Sequence, residues 1–268
     1  MIRFAIRFFL LSLAGMAALT APSHAQTCRD SDISQAVMGQ TYCLVVKTLA
    51  AHPGGLLVVL LHGDLSRGGP ATYHVELAQE LADANPNATV VAMLRPGYDD
   101  GEGHKADGDT NNRRDHYTAR NIDAVAAAIG NLKAHYKASR AVLIGHSGGA
   151  AFAGVIAGRH PGLADAVALI SCPCDIPVWR ANRRAGSSWP NSLSPSDFAA
   201  QVPPATTVVA LVGTQDTNTP VSLSRDYISK VSATGAKASL VEISGAGHNV
   251  NERMRAAVLP HLSALIAD

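Results

Sequence analysis

The chain is 268 residues long and carries a formal net charge of +1, from 22 Lys and Arg against 21 Asp and Glu. No block of like charge breaks that balance, so neither a nucleic acid nor an anionic surface is expected as a partner. Aromatic residues are 5% of the chain, which argues against stacking platforms and for a core of closely packed small side chains.

The first element in the chain reads as an export signal. Arg3 and Arg7 precede an almost unbroken apolar run from Phe8 to Ala21, and Ser23-His24-Ala25 then supplies the small-x-small pattern cut by signal peptidase. The run falls short of the ~20 residues that a membrane-spanning helix needs. Residues 1–25 are therefore expected to be removed, leaving 26–268 as one domain in the periplasm or outside the cell. No later stretch is long and apolar enough to span a bilayer. Such compartments are oxidising, and four cysteines remain to pair: Cys28, Cys43, Cys172 and Cys174. Cys28 with Cys43 is the natural local pair. The remaining pair would bridge a single intervening residue, which is geometrically demanding, so other pairings stay open. A zinc site is disfavoured, because the two cysteine groups lie far apart and neither has a His at ligand spacing.

From residue 56 onward, apolar runs and helical periodicity alternate. Leu56 to Leu61 is continuously apolar, as in a strand buried on both faces of a parallel sheet, and Ala88 to Leu94, Ala141 to Ile144, Ala166 to Ile170, Thr207 to Val212 and Ser239 to Ile243 read the same way. Val75, Ala78, Leu81 and Ala82 mark a helix between the first two runs. Ile122, Val125, Ile129, Leu132 and Tyr136 lie on one face of another helix, and Met254 to Leu265 on a last one. This alternation predicts an α/β fold with a mostly parallel central sheet and helices on both faces. In such sheets functional groups collect at the carboxyl ends of the strands. Two long loops lie there: Arg95 to about Tyr117, and a lid-like segment from about 171 to 204.

One strand end carries nucleophile chemistry. Gly145-His146-Ser147-Gly148-Gly149 stands between the run ending at Ile144 and a small-residue helix. A tight strand-to-helix turn lifts the serine hydroxyl clear of the sheet, and the glycines let neighbouring chain pass close by. The Gly148 amide then lies at a helix start, where it can donate to an oxyanion. A serine needs a base. Of eleven histidines, His248 follows the last strand directly, within Gly245-Ala246-Gly247-His248-Asn249. His146 adjoins the serine and is expected to point away from it. The histidine needs a carboxylate to hold it. Asp216, in Gly213-Thr214-Gln215-Asp216, is favoured over Asp175, which follows the preceding strand. A second oxyanion donor is expected from the loop His62-Gly63-Asp64-Leu65, through the amide of Asp64 or Leu65, with His62 bracing the loop.

These motifs (the HG turn, GHSGG, GTQD and GAGHN, in this order from about Leu56 to the C-terminus) resemble the α/β-hydrolase superfamily. Together with Arg95-Pro96-Gly97-Tyr98, they look like its dienelactone-hydrolase and prolyl-oligopeptidase-like branch. No propeller segment precedes the match, which argues against an oligopeptidase. The resemblance implies a Ser147, Asp216, His248 triad and an acyl-enzyme route. A carboxylic ester is the expected substrate, with a short peptide or amide as rival. A non-catalytic binding protein on the same fold is a further alternative, which the complete set of three side chains disfavours.

Other features read as structural. Residues 99–112 are acidic but miss the calcium-loop pattern, since counting from Asp107 the glycine position holds Asn112 and the closing glutamate position Thr118. No P-loop lysine follows the strand, and no cofactor is expected. Arg113 and Arg114 are expected to pair locally with Asp115. Trp179 and Trp189 either roof the pocket or pin their loop, and Arg180, Arg183 and Arg184 are expected to form a solvated face.

Overall fold

A computed structural model describes Cys28, residues 32–183 and residues 188–267 of the chain. The expected export signal, residues 1–25, and Arg184 lie outside the described residues. Two short-range strands open the fold: β1 (Ala36–Gly39) and β2 (Tyr42–Ala50) pair antiparallel as a hairpin. Neither was expected from the sequence. In β2, Lys47 is exposed and Thr48 half-buried, so no continuous apolar run marks it. The six apolar runs then form β3 (Leu56–Leu61), β4 (Ala88–Met93), β5 (Arg140–His146), β6 (Ala166–Ile170), β7 (Thr207–Gly213) and β8 (Ala238–Ile243).

The eight strands make one sheet in the order β1-β2-β4-β3-β5-β6-β7-β8. From β4 to β8 every neighbouring pair is parallel, and β2 joins β4 antiparallel. Disulfides join Cys28 to Cys43, tying the N-terminal segment to β2, and Cys172 to Cys174 just after β6. The pairing left open by the sequence is thus the local one in both cases.

Helices α1 (His74–Ala84), α2 (Ala119–His135), α3 (Gly148–Arg159), α4 (Ile176–Asn182), α5 (Pro195–Phe198), α6 (Val221–Ser232) and α7 (Glu252–Ala267) connect and flank the strands. Side chains alternate between sheet faces with the two-residue period of a strand. Leu57, Val59 and Leu61 pack with Ile122, Val125 and Ile129 of α2 and Leu223 and Tyr227 of α6. Val58 and Leu60 face the other way, onto Leu77 and Leu81 of α1 and Met254, Val258 and Leu262 of α7. Fully burying each such side chain contributes roughly 1.5–3 kcal/mol. Sandwiching the sheet in this way holds the central strands rigid, so what sits at their carboxyl ends is held rigid too. Among the described residues, no helix is long and apolar enough to cross a membrane.

Candidate active site

At the centre of the sheet, β5 runs into α3 with a single residue between them. That residue, Ser147, has φ 52° and ψ −116°, a left-handed backbone region that β-carbon-bearing residues avoid. Such strain costs of order 1–3 kcal/mol and persists only where surrounding structure enforces it. Here the Ser147 amide donates to the Ile170 carbonyl of β6 (2.8 Å), and its own carbonyl accepts from the Ala151 amide of α3 (3.0 Å). The two flanking glycines are steric requirements. A Cβ on Gly145 would lie 2.2 Å from the Gly149 carbonyl oxygen, and one on Gly149 would lie 2.3 Å from that of Leu61.

Two loops at the same edge bring polar groups to the serine. His248, after β8, places Nε2 3.0 Å from Ser147 Oγ and Nδ1 2.9 Å from Asp216 Oδ2. Asp216, after β7, is itself held by the amides of Asn218 (2.9 Å) and Thr219 (2.8 Å) and by the Thr219 hydroxyl (2.8 Å). Burial alone would raise this carboxyl. Its hydrogen bond and charge attraction with His248, aided by Thr219, outweigh that and hold it at about 2. Asp175, the rival, is elsewhere: it caps α4, accepting from the Val178 amide at 3.1 Å. Asn218 Nδ2 also comes within 2.9 Å of His248 Nε2, and Thr219 Oγ1 within 3.2 Å of Nδ1. Neither residue was singled out in the sequence, although both lie within three residues of Asp216.

The loop after β3 faces the serine from the other side. A Cβ on Gly63 would lie 2.9 Å from Ser147 Cβ, and one on Gly148 would lie 2.4 Å from Asp64 Oδ1, so this loop abuts Ser147 and the start of α3. His62 braces it: Nε2 accepts from the Arg95 amide (3.0 Å), and Nδ1 lies 2.8 Å from the Gly63 carbonyl, to which it donates. The Asp64 side chain enters a buried ion pair with Arg95 Nη2 (2.6 Å) and accepts from the Tyr117 hydroxyl (2.6 Å). Burial opposes the charge on Asp64, but Arg95 and Tyr117 more than compensate and keep its pKa below the usual carboxylate value. Leu65 is tied through its carbonyl, which accepts from Arg113. Arg95 and Tyr117 were not anticipated as parts of the site. Their pairing with Asp64 spans 31 and 53 residues, and no local pattern encodes it.

Around this centre several expectations need correction. Asp115 does not pair with its arginine neighbours; its carboxylate accepts from the amide and side chain of Asn191, the latter at 2.8 Å. Arg113 instead reaches the Leu65 carbonyl. The segment 171–204 is not a bare loop, since it holds α4 and α5. Trp179 and Trp189 are buried and meet edge to face at 5.1 Å, with Trp189 against Tyr117 at 5.2 Å, so both pin the segment down. Trp179 Nε1 donates to the Asn218 carbonyl (2.9 Å), fastening the segment to the Asp216 loop. Arg180 is no part of a solvated face: its guanidinium lies 4.8 Å from the Trp189 ring centre and 5.1 Å from that of Trp179. Arg183 is exposed. Ile176, Pro177, Arg180, Trp189 and Pro190 help line a cavity of about 310 Å³ within this segment. Asp100, Glu102 and His104 form the single group of potential metal ligands found among the described residues, on the loop after β4.

A strained serine thus stands between strand and helix, with His248 from the loop after β8 and Asp216 from the loop after β7 in line with it. The profile described as the Alpha/beta hydrolase family matches residues 58–195, more than half of the chain, and the chain belongs to that family. No curated protein matches the sequence. Among solved structures, Est1E from Butyrivibrio proteoclasticus with ferulic acid bound is similar at 17% identity, with a TM-score of 0.65 over 87% of this chain and 100% of that one. Esterase PE8 is 21% identical, with a TM-score of 0.58 over 83% of this chain and 99% of that one. The acylaminoacyl peptidase of Pyrococcus horikoshii is 11% identical, with a TM-score of 0.66 over 86% of this chain and 40% of that one. At these identities the likeness is one of fold.

Proposed function

We propose that this protein is an exported serine esterase that cleaves a carboxylic ester through an acyl-enzyme on Ser147. The observation supporting this reading is the continuous contact Ser147 Oγ to His248 Nε2 (3.0 Å) and His248 Nδ1 to Asp216 Oδ2 (2.9 Å). In the proposed route Ser147 Oγ attacks the ester carbonyl while His248 takes the hydroxyl proton, and His248 then returns it to the departing alcohol. Water deacylates the serine by the same steps in reverse. Asp216, held ionised by its partners, fixes the imidazole tautomer and stabilises the imidazolium.

The developing oxyanion is assigned to the Gly148 amide, one of the helix-start donors that α3 itself leaves unpaired. The second donor is assigned to the amide of Asp64 or Leu65, because that of Gly63 already donates to Tyr73. The esterases among the similar structures support an ester over an amide, and the peptidase of similar fold keeps a short peptide as the second reading. Disulfides at Cys28–Cys43 and Cys172–Cys174 are compatible with export.

The test is labelling with a fluorophosphonate probe, followed by turnover on p-nitrophenyl esters of varied chain length beside peptide amides. Labelling at Ser147 that is lost in His248→Ala, with esters turned over well above amides, is the expected result. Equal labelling of wild type and His248→Ala would sink the mechanism, and faster amide cleavage would make the protein a peptidase.

A further inference from the structure

His146, beside the nucleophile, turns away from it and joins a chain of hydrogen bonds that ends on two different loops of the site. Gly63 N lies 2.5 Å from the Tyr73 hydroxyl, that hydroxyl lies 2.6 Å from His146 Nδ1, and His146 Nε2 lies 2.9 Å from the backbone carbonyl of His248. The directions follow from chemistry. A backbone amide can only donate, so Tyr73 Oη accepts from Gly63. A carbonyl can only accept, so His146 Nε2 carries the proton. His146 Nδ1 is then an acceptor, and the remaining Tyr73 hydrogen goes to it. One arrangement satisfies every member, and it requires a neutral imidazole.

We infer that Tyr73 and His146 are positioning residues that lock the oxyanion-side loop, through Gly63, to the backbone of His248. This rests on the reading of Ser147 and His248 as nucleophile and base. The bridge is short and crosses the site. Its Gly63 end abuts Ser147, since a Cβ there would lie 2.9 Å from Ser147 Cβ. At its other end the carbonyl belongs to the residue whose ring must reach Ser147 Oγ. Ring contacts stiffen it, with Tyr73 perpendicular to His146 at 5.5 Å and His146 tilted against His248 at 5.2 Å. Burial, and next the neighbouring His248, push His146 down to about 3, so it stays neutral and keeps this tautomer at working pH. Neither residue touches the reacting atoms. Their effect is geometric, and misplacing a reacting group by about 1 Å can slow a reaction on the order of 100-fold.

The experiment uses the full chain with Tyr73→Phe, which keeps the ring and removes the hydroxyl, His146→Gln, and the double variant. Active sites are counted by fluorophosphonate titration, and p-nitrophenyl acetate turnover is expressed per titrated site. Each single variant is expected to lower kcat on the order of 10- to 100-fold, with KM changed by less than about threefold. The double variant should be no slower than the slower single one, because either change opens the same chain. A brace needed only for folding would reduce the fraction of titratable sites and leave kcat per site unchanged. That result, or losses that multiply in the double variant, overturns the bridge. If Tyr73→Phe does not accumulate as folded protein, His146→Gln decides by the same kcat per site. Failure of wild type to titrate at all overturns the reading of Ser147 itself, a different outcome from normal titration with unchanged turnover.

Discussion

The floor of the site, the turn that carries Ser147, and the segment from residue 171 to 204 are built on different principles. On the floor, backbone passes backbone: the Gly145 and Gly149 positions approach carbonyl oxygens so closely that a methyl group has no room. The segment, as described over residues 171–183 and 188–204, is held by side chains reaching distant partners, as in Trp179 to the Asn218 carbonyl, Asn191 to Asp115, and the Tyr117 amide donating to Ser192 Oγ at 3.2 Å. A backbone constraint tolerates no substitution, whereas a side-chain fastening weakens by one hydrogen bond at a time. The floor should therefore fail abruptly and the segment by degrees.

The largest expected effect breaks the floor's chemistry without its structure. Asp216→Asn keeps the size of the side chain but removes the charge that holds His248, and kcat should fall about 10³- to 10⁴-fold with the fold intact by circular dichroism. Next, Gly149→Ala forces a methyl against the Leu61 carbonyl and should lower unfolding free energy by about 3 kcal/mol or more in urea titration. A cost near zero would mean that the elbow is looser than its contacts imply.

Acid should loosen the loops that frame the floor. Burial is the leading cause that lowers His62 well below its usual range, His74 and His116 to about 4, and His146 to about 3. Each is neutral when folded and binds a proton when unfolded below its ordinary value of 6.5. Stability must therefore fall as pH drops from 6.5 toward each folded value, with a slope approaching about 1.4 kcal/mol per pH unit for each histidine. Asp216 acts in a lower window, its contribution full above 3.8 and lost as pH falls toward about 2. Proton uptake on unfolding at pH 5, measured by the pH dependence of the urea midpoint, checks this; a flat midpoint between pH 7 and 5 contradicts it.

The 171–204 segment yields smaller numbers. Trp179→Phe removes the donor to the Asn218 carbonyl and should cost about 1 kcal/mol, lowering kcat/KM for bulky esters more than for acetate. Arg183→Ala, on the exposed edge of the same segment, should change stability by less than about 0.5 kcal/mol. A large effect of Arg183→Ala on anionic esters would instead assign this segment a role in substrate choice.

Much of this molecule was legible in the residues. The runs that became β3 to β7 were legible because a strand covered on both faces must be largely apolar, whereas β8, at the sheet edge, leaves Ser239 and Glu242 exposed. The hairpin of β1 and β2 carried no such signal, because β2, although paired on both sides, mixes exposed Lys47 and half-buried Thr48 into its run. The GHSGG turn could be read because its glycines answer a local steric demand. Asp115 misled, since proximity in sequence to Arg113 and Arg114 says nothing about which partner a folded loop presents, and Asn191 is the one it meets.

By itself, then, the sequence determined the layered α/β fold, the strained turn at Ser147, and the order in which Ser147, Asp216 and His248 reach one edge of the sheet. Periodicity and backbone sterics are local properties, written within a few residues. Tertiary structure set Asp216, which the sequence already favoured, rather than Asp175 against His248, and it alone buried Asp64 against Arg95 and Tyr117. It also set Tyr73 and His146, 73 residues apart, between the two loops that face Ser147. A hydrogen bond depends on where a donor and acceptor meet in space, and that meeting is settled only when the sheet has brought distant strand ends side by side.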